Sequence, residues 1–134
     1  MTTPIVSVFM MAYNHEPFIA RAIESVLMQK TSFPIELVIG EDCSSDGTLA
    51  LCEAFRDRHP GLIRLLKTEA NLGMHKNVRR TLAACRGIYI AFCEGDDYWT
   101  HPEKLQRQVD YLEAHKESAG VFHNATILRS GETY

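Results

Sequence analysis

The sequence is short of the features that mark several large protein classes. No apolar stretch in its 134 residues approaches the roughly 20 that a membrane-spanning helix needs. No run of Lys or Arg appears and the formal net charge is -3, so a nucleic-acid surface is not expected. The four cysteines (Cys43, Cys52, Cys85 and Cys93) lack any CxxC spacing. That argues against a zinc site or a disulfide framework and for reduced thiols in or near a core. The six histidines contain no HxH or HxxxH pair. Missing too are GxxxxGK[ST], a GxGxxG after the first strand, and a GxSxG elbow. These absences exclude a P-loop NTPase, a dinucleotide-binding dehydrogenase and an α/β-hydrolase. The apolar segment Ile5 to Ala12 is too short for a signal peptide and follows no basic region. A cytoplasmic domain is expected, at the inner face of the membrane if the parent protein is longer.

What is present is ordinary globular composition, 46% hydrophobic and 23% charged, in a chain of one-domain length. Ile5 to Met11 is a continuous apolar run of strand length, the pattern of a strand covered on both faces. Pro17 stands where a first helical residue belongs, and Phe18, Ile19, Ala22, Ile23, Val26 and Leu27 make a helical stripe. Ile35 to Gly40 reads as a second strand, and Leu49 to Arg58 as a second helix burying Leu51, Cys52, Ala54 and Phe55. Leu62 to Leu66 is a third strand, followed by a turn at Asn71-Leu72-Gly73. A third helix carries Val78, Leu82 and Cys85 on one face before Gly87. Ile88 to Cys93 reads as a fourth, buried strand. Pro102 to about Lys116 is a helix with Leu105, Val109 and Leu112 in register, Gly120 to Leu128 a fifth strand, and Ser130-Gly131 a turn. Strands alternating with helices predict an α/β fold: a three-layer α/β/α domain around a mostly parallel sheet.

The fourth strand ends in Glu94-Gly95-Asp96-Asp97-Tyr98-Trp99. Three carboxylates this close disfavour each other's ionised forms unless a cation lies between them. In an open parallel sheet, ligands bind at the carboxyl ends of the strands. The polar clusters fall there: Tyr13-Asn14 after the first strand, Glu41-Asp42 after the second, Asn71 after the third and Glu94, Asp96 and Asp97 after the fourth. Five carboxylates on one rim suit Mg²⁺ or Mn²⁺ on a diphosphate, because these hard ions accept carboxylate, phosphate and water oxygens. A further carboxylate can hold ribose hydroxyls, and Tyr13 can stack on a base. A response-regulator receiver would want its acids after the first and third strands, and is not expected.

Several polar residues are assigned plainer roles. Ser44, Ser45 and Asp46 read as turn and cap residues, and Trp99 as a packing anchor beneath the acidic loop. His59 and His115 sit at helix ends, where a cation favours the helix dipole. His123 reads as a core histidine of the fifth strand, while His75 and Lys76 are candidates to face a phosphate.

Four motifs occur in a familiar order and spacing: VSVFMMAYNHEPFIARAIESVLMQK, IELVIGEDCSSDGT, NLG and GIYIAFCEGDDYWTHPEKLQRQVDYL. Over Ile5 to about Leu112 the chain resembles the family 2 glycosyltransferases of the GT-A fold. The resemblance implies a nucleotide-diphospho-sugar transferase fold and transfer of a sugar with inversion at the anomeric carbon. It implies a divalent metal, a UDP-, GDP- or dTDP-sugar donor and a glycan or lipid-linked acceptor. Carried over position by position, Met11, Ala12 and Tyr13 contact the nucleoside, and Glu41-Asp42 form the first acid pair, with Asp42 the partner of the base. The DxD-type element falls on Glu94, Asp96 and Asp97, so Asp96 and Asp97 together inherit ribose and metal.

Two departures bear on this. Glu41 and Glu94 stand where the family more commonly has aspartate. The family's catalytic base, which deprotonates the acceptor hydroxyl, has no counterpart here; Glu117 and Glu132 are the only late acids and sit in no motif. A single domain, the donor-binding part of a larger enzyme, is expected over residues 1–134, with most of the acceptor half absent. The competing readings are a nucleotide-sugar-binding domain without catalysis and a sugar nucleotidyltransferase. The latter should carry a Gly-rich, basic loop after its first strand, where this chain has Ala12-Tyr13-Asn14-His15.

Overall fold

In the computed structural model, residues 2–129 and 132–133 are described. The main sheet has four strands in the order β3-β2-β1-β4, all parallel: β1 (Val6–Ala12), β2 (Ile35–Glu41), β3 (Ile63–Leu66) and β4 (Tyr89–Phe92). They alternate with α1 (Ile19–Leu27), α2 (Thr48–Arg58), α3 (Met74–Ala84) and α4 (Lys104–Ala114). Val6 pairs with both Ile35 and Tyr89, so β1 is the central strand and its side chains are covered on both sides.

The period-two alternation of β1 divides the molecule. Val6, Val8, Met10 and Ala12 join Leu37 and Ile39 in a core with Ile19, Ile23 and Val26 of α1, Phe55 of α2, and Leu105 and Val109 of α4. On the opposite face lies α3. A Cβ added to Gly40 would stand 2.0 Å from the Thr81 hydroxyl, so only glycine admits the helix at this distance. The contact is polar: Asn77 and Thr81 are the buried residues of α3, and the Asn77 amide donates to the Gly40 carbonyl at 2.9 Å. The face expected to be buried, Val78, Leu82 and Cys85, is only partly covered. The three-layer arrangement read from the alternation is present.

The far side of the molecule departs from expectation. No strand forms over residues 120–127; Leu128–Arg129 (β5) instead pairs antiparallel with Glu132–Thr133 (β6), apart from the main sheet. The stretch runs beside β4 and α4 along a groove of about 540 Å³ without pairing, and Phe122 is 92% exposed. Apolar alternation becomes a strand only where a ladder accepts it. His123 is accordingly exposed rather than in a core, its Nδ1 within 2.7 Å of the Asn124 carbonyl. β4 is likewise not buried on both faces. It is an edge strand whose Tyr89 and Ala91 face the core, while Ile88, Ile90 and Phe92 remain exposed. The expected turn at Ser130-Gly131 lies outside the described residues. Pro17 precedes α1 in a turn, the helix beginning at Ile19.

All four cysteines are free. Burial pushes the thiols of Cys52 and Cys93 up to about 12. Among the described residues no helix is long and apolar enough to cross a membrane.

Candidate functional site

The carboxyl ends of β1, β2 and β4 meet at one rim because the strands are parallel and adjacent. Three loops leave that rim and are tied together by hydrogen bonds. Gly95 donates its amide to the Met11 carbonyl at 3.0 Å, which fastens the acidic loop to the end of β1. The Asp42 amide donates to the Ala12 carbonyl at 3.1 Å. The loop after β1 and the loop after β2 are zipped by side chains. Asn14 Oδ1 accepts the Ser45 amide, Thr48 Oγ1 accepts the His15 amide, and Glu16 Oε2 accepts the Gly47 amide. Asp46 accepts from the Thr48 hydroxyl and amide, which holds its carboxyl below the usual range. The turn roles read for Ser45 and Asp46 are thus extended to stitching two loops.

The expected nucleotide residues separate into three groups. Tyr13, 48% exposed, presents its ring at the rim, while Met11 is partly buried and Ala12 is sealed in the core. Glu41 is fully buried, and its carboxylate accepts the amides of Cys43 at 3.1 Å and Ser44 at 2.8 Å. This folds the chain back so tightly that Cys43 takes a positive φ of 61°. The glutamate's extra methylene therefore serves its own turn, and Glu41 does not face outward as expected. Asp42 is buried as well. Its two carboxylate oxygens accept the Leu72 amide at 2.7 Å and the Gly73 amide at 3.0 Å, and Asn71 donates to its carbonyl. Of the five carboxylates expected on the rim, Glu41 and Asp42 are thus engaged by neighbouring amides.

Glu94, Asp96 and Asp97 remain, and Glu94 and Asp97 show the strain expected of crowded acids. Burial, then the charges of Asp96 and Asp97, push the Glu94 carboxyl up. Burial and then Asp96 push Asp97 up, partly opposed by His15. Among the described residues no group of three or more His, Cys, Asp or Glu is arranged to hold a metal ion. The donor set that exists is two neighbouring aspartates and a flanking glutamate, hard oxygen ligands whose mutual repulsion a divalent cation relieves. The loop is well anchored. Trp99 is buried beneath it as expected, Lys104 lies 4.3 Å from the Trp99 ring centre, and Arg21 stacks 3.7 Å over Tyr98.

Two supporting residues gave no signal in the sequence. Arg80 of α3 donates to the carbonyls of Glu41, Leu66 and Lys67 and to the Asn77 side chain, binding the ends of β2 and β3 together. His15 lies against the acidic loop, its Nε2 3.9 Å from Asp96 Oδ2. His75 and Lys76 are exposed on the first turn of α3. A separate cavity of about 600 Å³ lies at the amino ends of the strands, and its one acid, Glu36, is paired with Arg64 and Arg86.

The Glycosyl transferase family 2 model matches residues 7–129, nearly the whole chain. The chain belongs to glycosyl transferase family 2. An uncharacterised Mycobacterium tuberculosis protein is 40% identical over 122 residues, 91% of this chain and 35% of that protein. The putative glycosyltransferase EpsE of Bacillus subtilis is 35% identical over 113 residues, 84% of this chain and 40% of EpsE. Structures of S. aureus TarS with UDP and with UDP-GlcNAc superpose with a TM-score of 0.71 at 29% identity, covering 83% of this chain and 32% of theirs. This family 2 chain therefore has the GT-A glycosyltransferase fold, and it spans 32% to 40% of the length of these relatives.

Proposed function

We propose that this family 2 chain is the donor-binding part of an inverting glycosyltransferase that moves a sugar from a nucleotide-diphospho-sugar to a glycan or lipid-linked acceptor. The observation that carries the reading is the outward-facing acidic loop. Glu94 and Asp97 are both pushed up at the carboxyl end of β4, one strand from Tyr13 at the end of β1. UDP and UDP-GlcNAc, the ligands of the TarS structures, support a nucleotide-sugar as the donor.

Asp96 and Asp97 would hold Mn²⁺ or Mg²⁺. A bound divalent ion would supply the positive charge that the departing nucleoside diphosphate needs. Tyr13 offers its exposed ring to the base. Asp42 keeps the Asn71–Gly73 loop against the rim through its two amide contacts. Glu94, part-buried and one methylene longer than aspartate, borders the pair and adds negative charge. The group that deprotonates the acceptor is assigned to polypeptide outside these 134 residues, since the match covers 35% of the M. tuberculosis relative. The site is read as facing the cytoplasm, where nucleotide-sugars are made.

A thermal-unfolding panel of UDP, GDP and dTDP, each with and without Mn²⁺, tests the reading. A nucleotide with metal at a hundredfold excess over Kd should stabilise the fold by about 2.7 kcal/mol. Asp97→Ala should abolish that gain. No shift with any nucleotide and metal refutes the reading.

A further inference from the structure

His15 is held at three points before its side chain is considered. Its amide donates to Thr48 Oγ1 at 2.8 Å, and its carbonyl accepts the Phe18 and Ile19 amides at 2.8 Å each, opening α1. The ring is thereby directed across the acidic loop onto Gly95. A Cβ at position 95 would stand 2.6 Å from His15 Nδ1, so glycine is what lets the ring lie there. Gly95 in turn is bound to β1 through its amide and the Met11 carbonyl. Ring and loop are fixed relative to each other by backbone on both sides.

The two ring nitrogens have different surroundings. Nδ1 is buried with no hydrogen-bond partner, the one such side-chain atom among the described residues. Nε2 points toward Asp96, 3.9 Å from Oδ2. A carboxylate accepts and cannot donate, so the proton belongs on Nε2, and Nδ1 is left as an unpaired acceptor rather than an unpaired donor. At 3.9 Å the contact exceeds a hydrogen bond. The Asp96 side chain is 53% exposed, whereas that of His15 is 22% exposed.

We propose that His15 is a positioning residue for Asp96: its Nε2–H takes one carboxylate oxygen and turns the other toward the divalent cation of the donor diphosphate. The inference rests on the donor-site reading above and goes beyond it, because it assigns a role to a residue outside the acidic motif. Carboxylates that bind metals are themselves oriented by outer hydrogen bonds, and loss of such a partner costs about 10–100-fold in metal affinity. Gln at position 15 keeps an Nε2–H donor at similar reach; Ala removes it.

The test is Mn²⁺ affinity in the presence of saturating UDP or GDP, read by Mn²⁺ electron paramagnetic resonance on the full chain. His15→Ala should bind Mn²⁺ about tenfold or more weakly, with metal-free nucleotide affinity unchanged. His15→Gln should recover most of the loss. His15→Leu, which fills much of the ring's space without a donor, should reproduce the defect of His15→Ala, and it serves as the measurement if His15→Ala does not fold. Unaltered Mn²⁺ affinity in His15→Ala overturns this inference while leaving the donor site standing, as does a Gln variant as weak as the Ala variant. If the unaltered protein shows no metal-dependent nucleotide binding, the donor-site reading fails and this inference with it.

Discussion

The carboxylate of Asp42 accepts the backbone amide of Gly73 at 3.0 Å, joining the carboxyl end of β2 to the residue that opens α3. Gly73 holds a φ of 84°, a conformation in which side chains are strained, and the neighbouring Leu72 amide binds the other oxygen. One buried side chain thus closes the loop between β3 and α3.

Removing that acceptor leaves two amides without partners. Asp42→Ala should destabilise the fold by about 1–3 kcal/mol, and Asp42→Asn, which keeps one acceptor oxygen, by less. Urea unfolding measures both. If Asp42 mattered only to ligand, both variants would unfold at the midpoint of the unaltered protein.

Gly40 tests the packing of α3. With Thr81 Oγ1 2.0 Å from the position of an added Cβ, Gly40→Ala should cost about 1–3 kcal/mol. Thr81→Ala removes the obstructing hydroxyl, so the double variant should be more stable than the sum of the single losses. Strict additivity in a double-mutant cycle contradicts the contact.

The carboxyls at the two ends of the sheet should respond to pH in opposite directions. Burial raises the Glu36 carboxyl, but hydrogen bonds from Ser7, Arg86 and Arg64 outweigh it and hold it below its ordinary 4.5. Its contribution is therefore present above pH 4.5 and lost as pH falls through the lower folded value. Glu36→Gln should cost about 3 kcal/mol at pH 7 and progressively less in acid. Asp97 is raised above 3.8, so its contribution is present below that value and lost as pH rises. Without metal, Asp97→Asn should stabilise the protein at pH 7, by less than about 1 kcal/mol because the side chain is exposed. Unfolding midpoints at pH 4 and pH 7 decide both signs.

Much of this arrangement was legible in the residues. The order and type of the four main strands and helices followed from apolar runs and helical stripes, which are local properties. The acidic loop was legible because three like charges in sequence must also be neighbours in space. His123 and residues 120–127 were misread because strand-forming residues need a partner ladder, and no local signal says whether one exists. Asn77, Thr81 and Arg80 were missed for the converse reason. A polar helix face looks solvated until the strand carbonyls it serves are brought beneath it.

The sequence by itself determined the alternating fold, the parallel sheet and the acidic motif at the end of β4, since each is written in spacing along the chain. Only the tertiary structure decided which carboxylates face outward. Glu41 and Asp42 stand in the sequence as acids no different from Asp96 and Asp97. Amides from their own turn and from residues 72–73 claim the first pair, while the loop fastened by Gly95 leaves the second pair open beside His15. Charge is a property of the residue; its availability depends on which donors the fold brings to it.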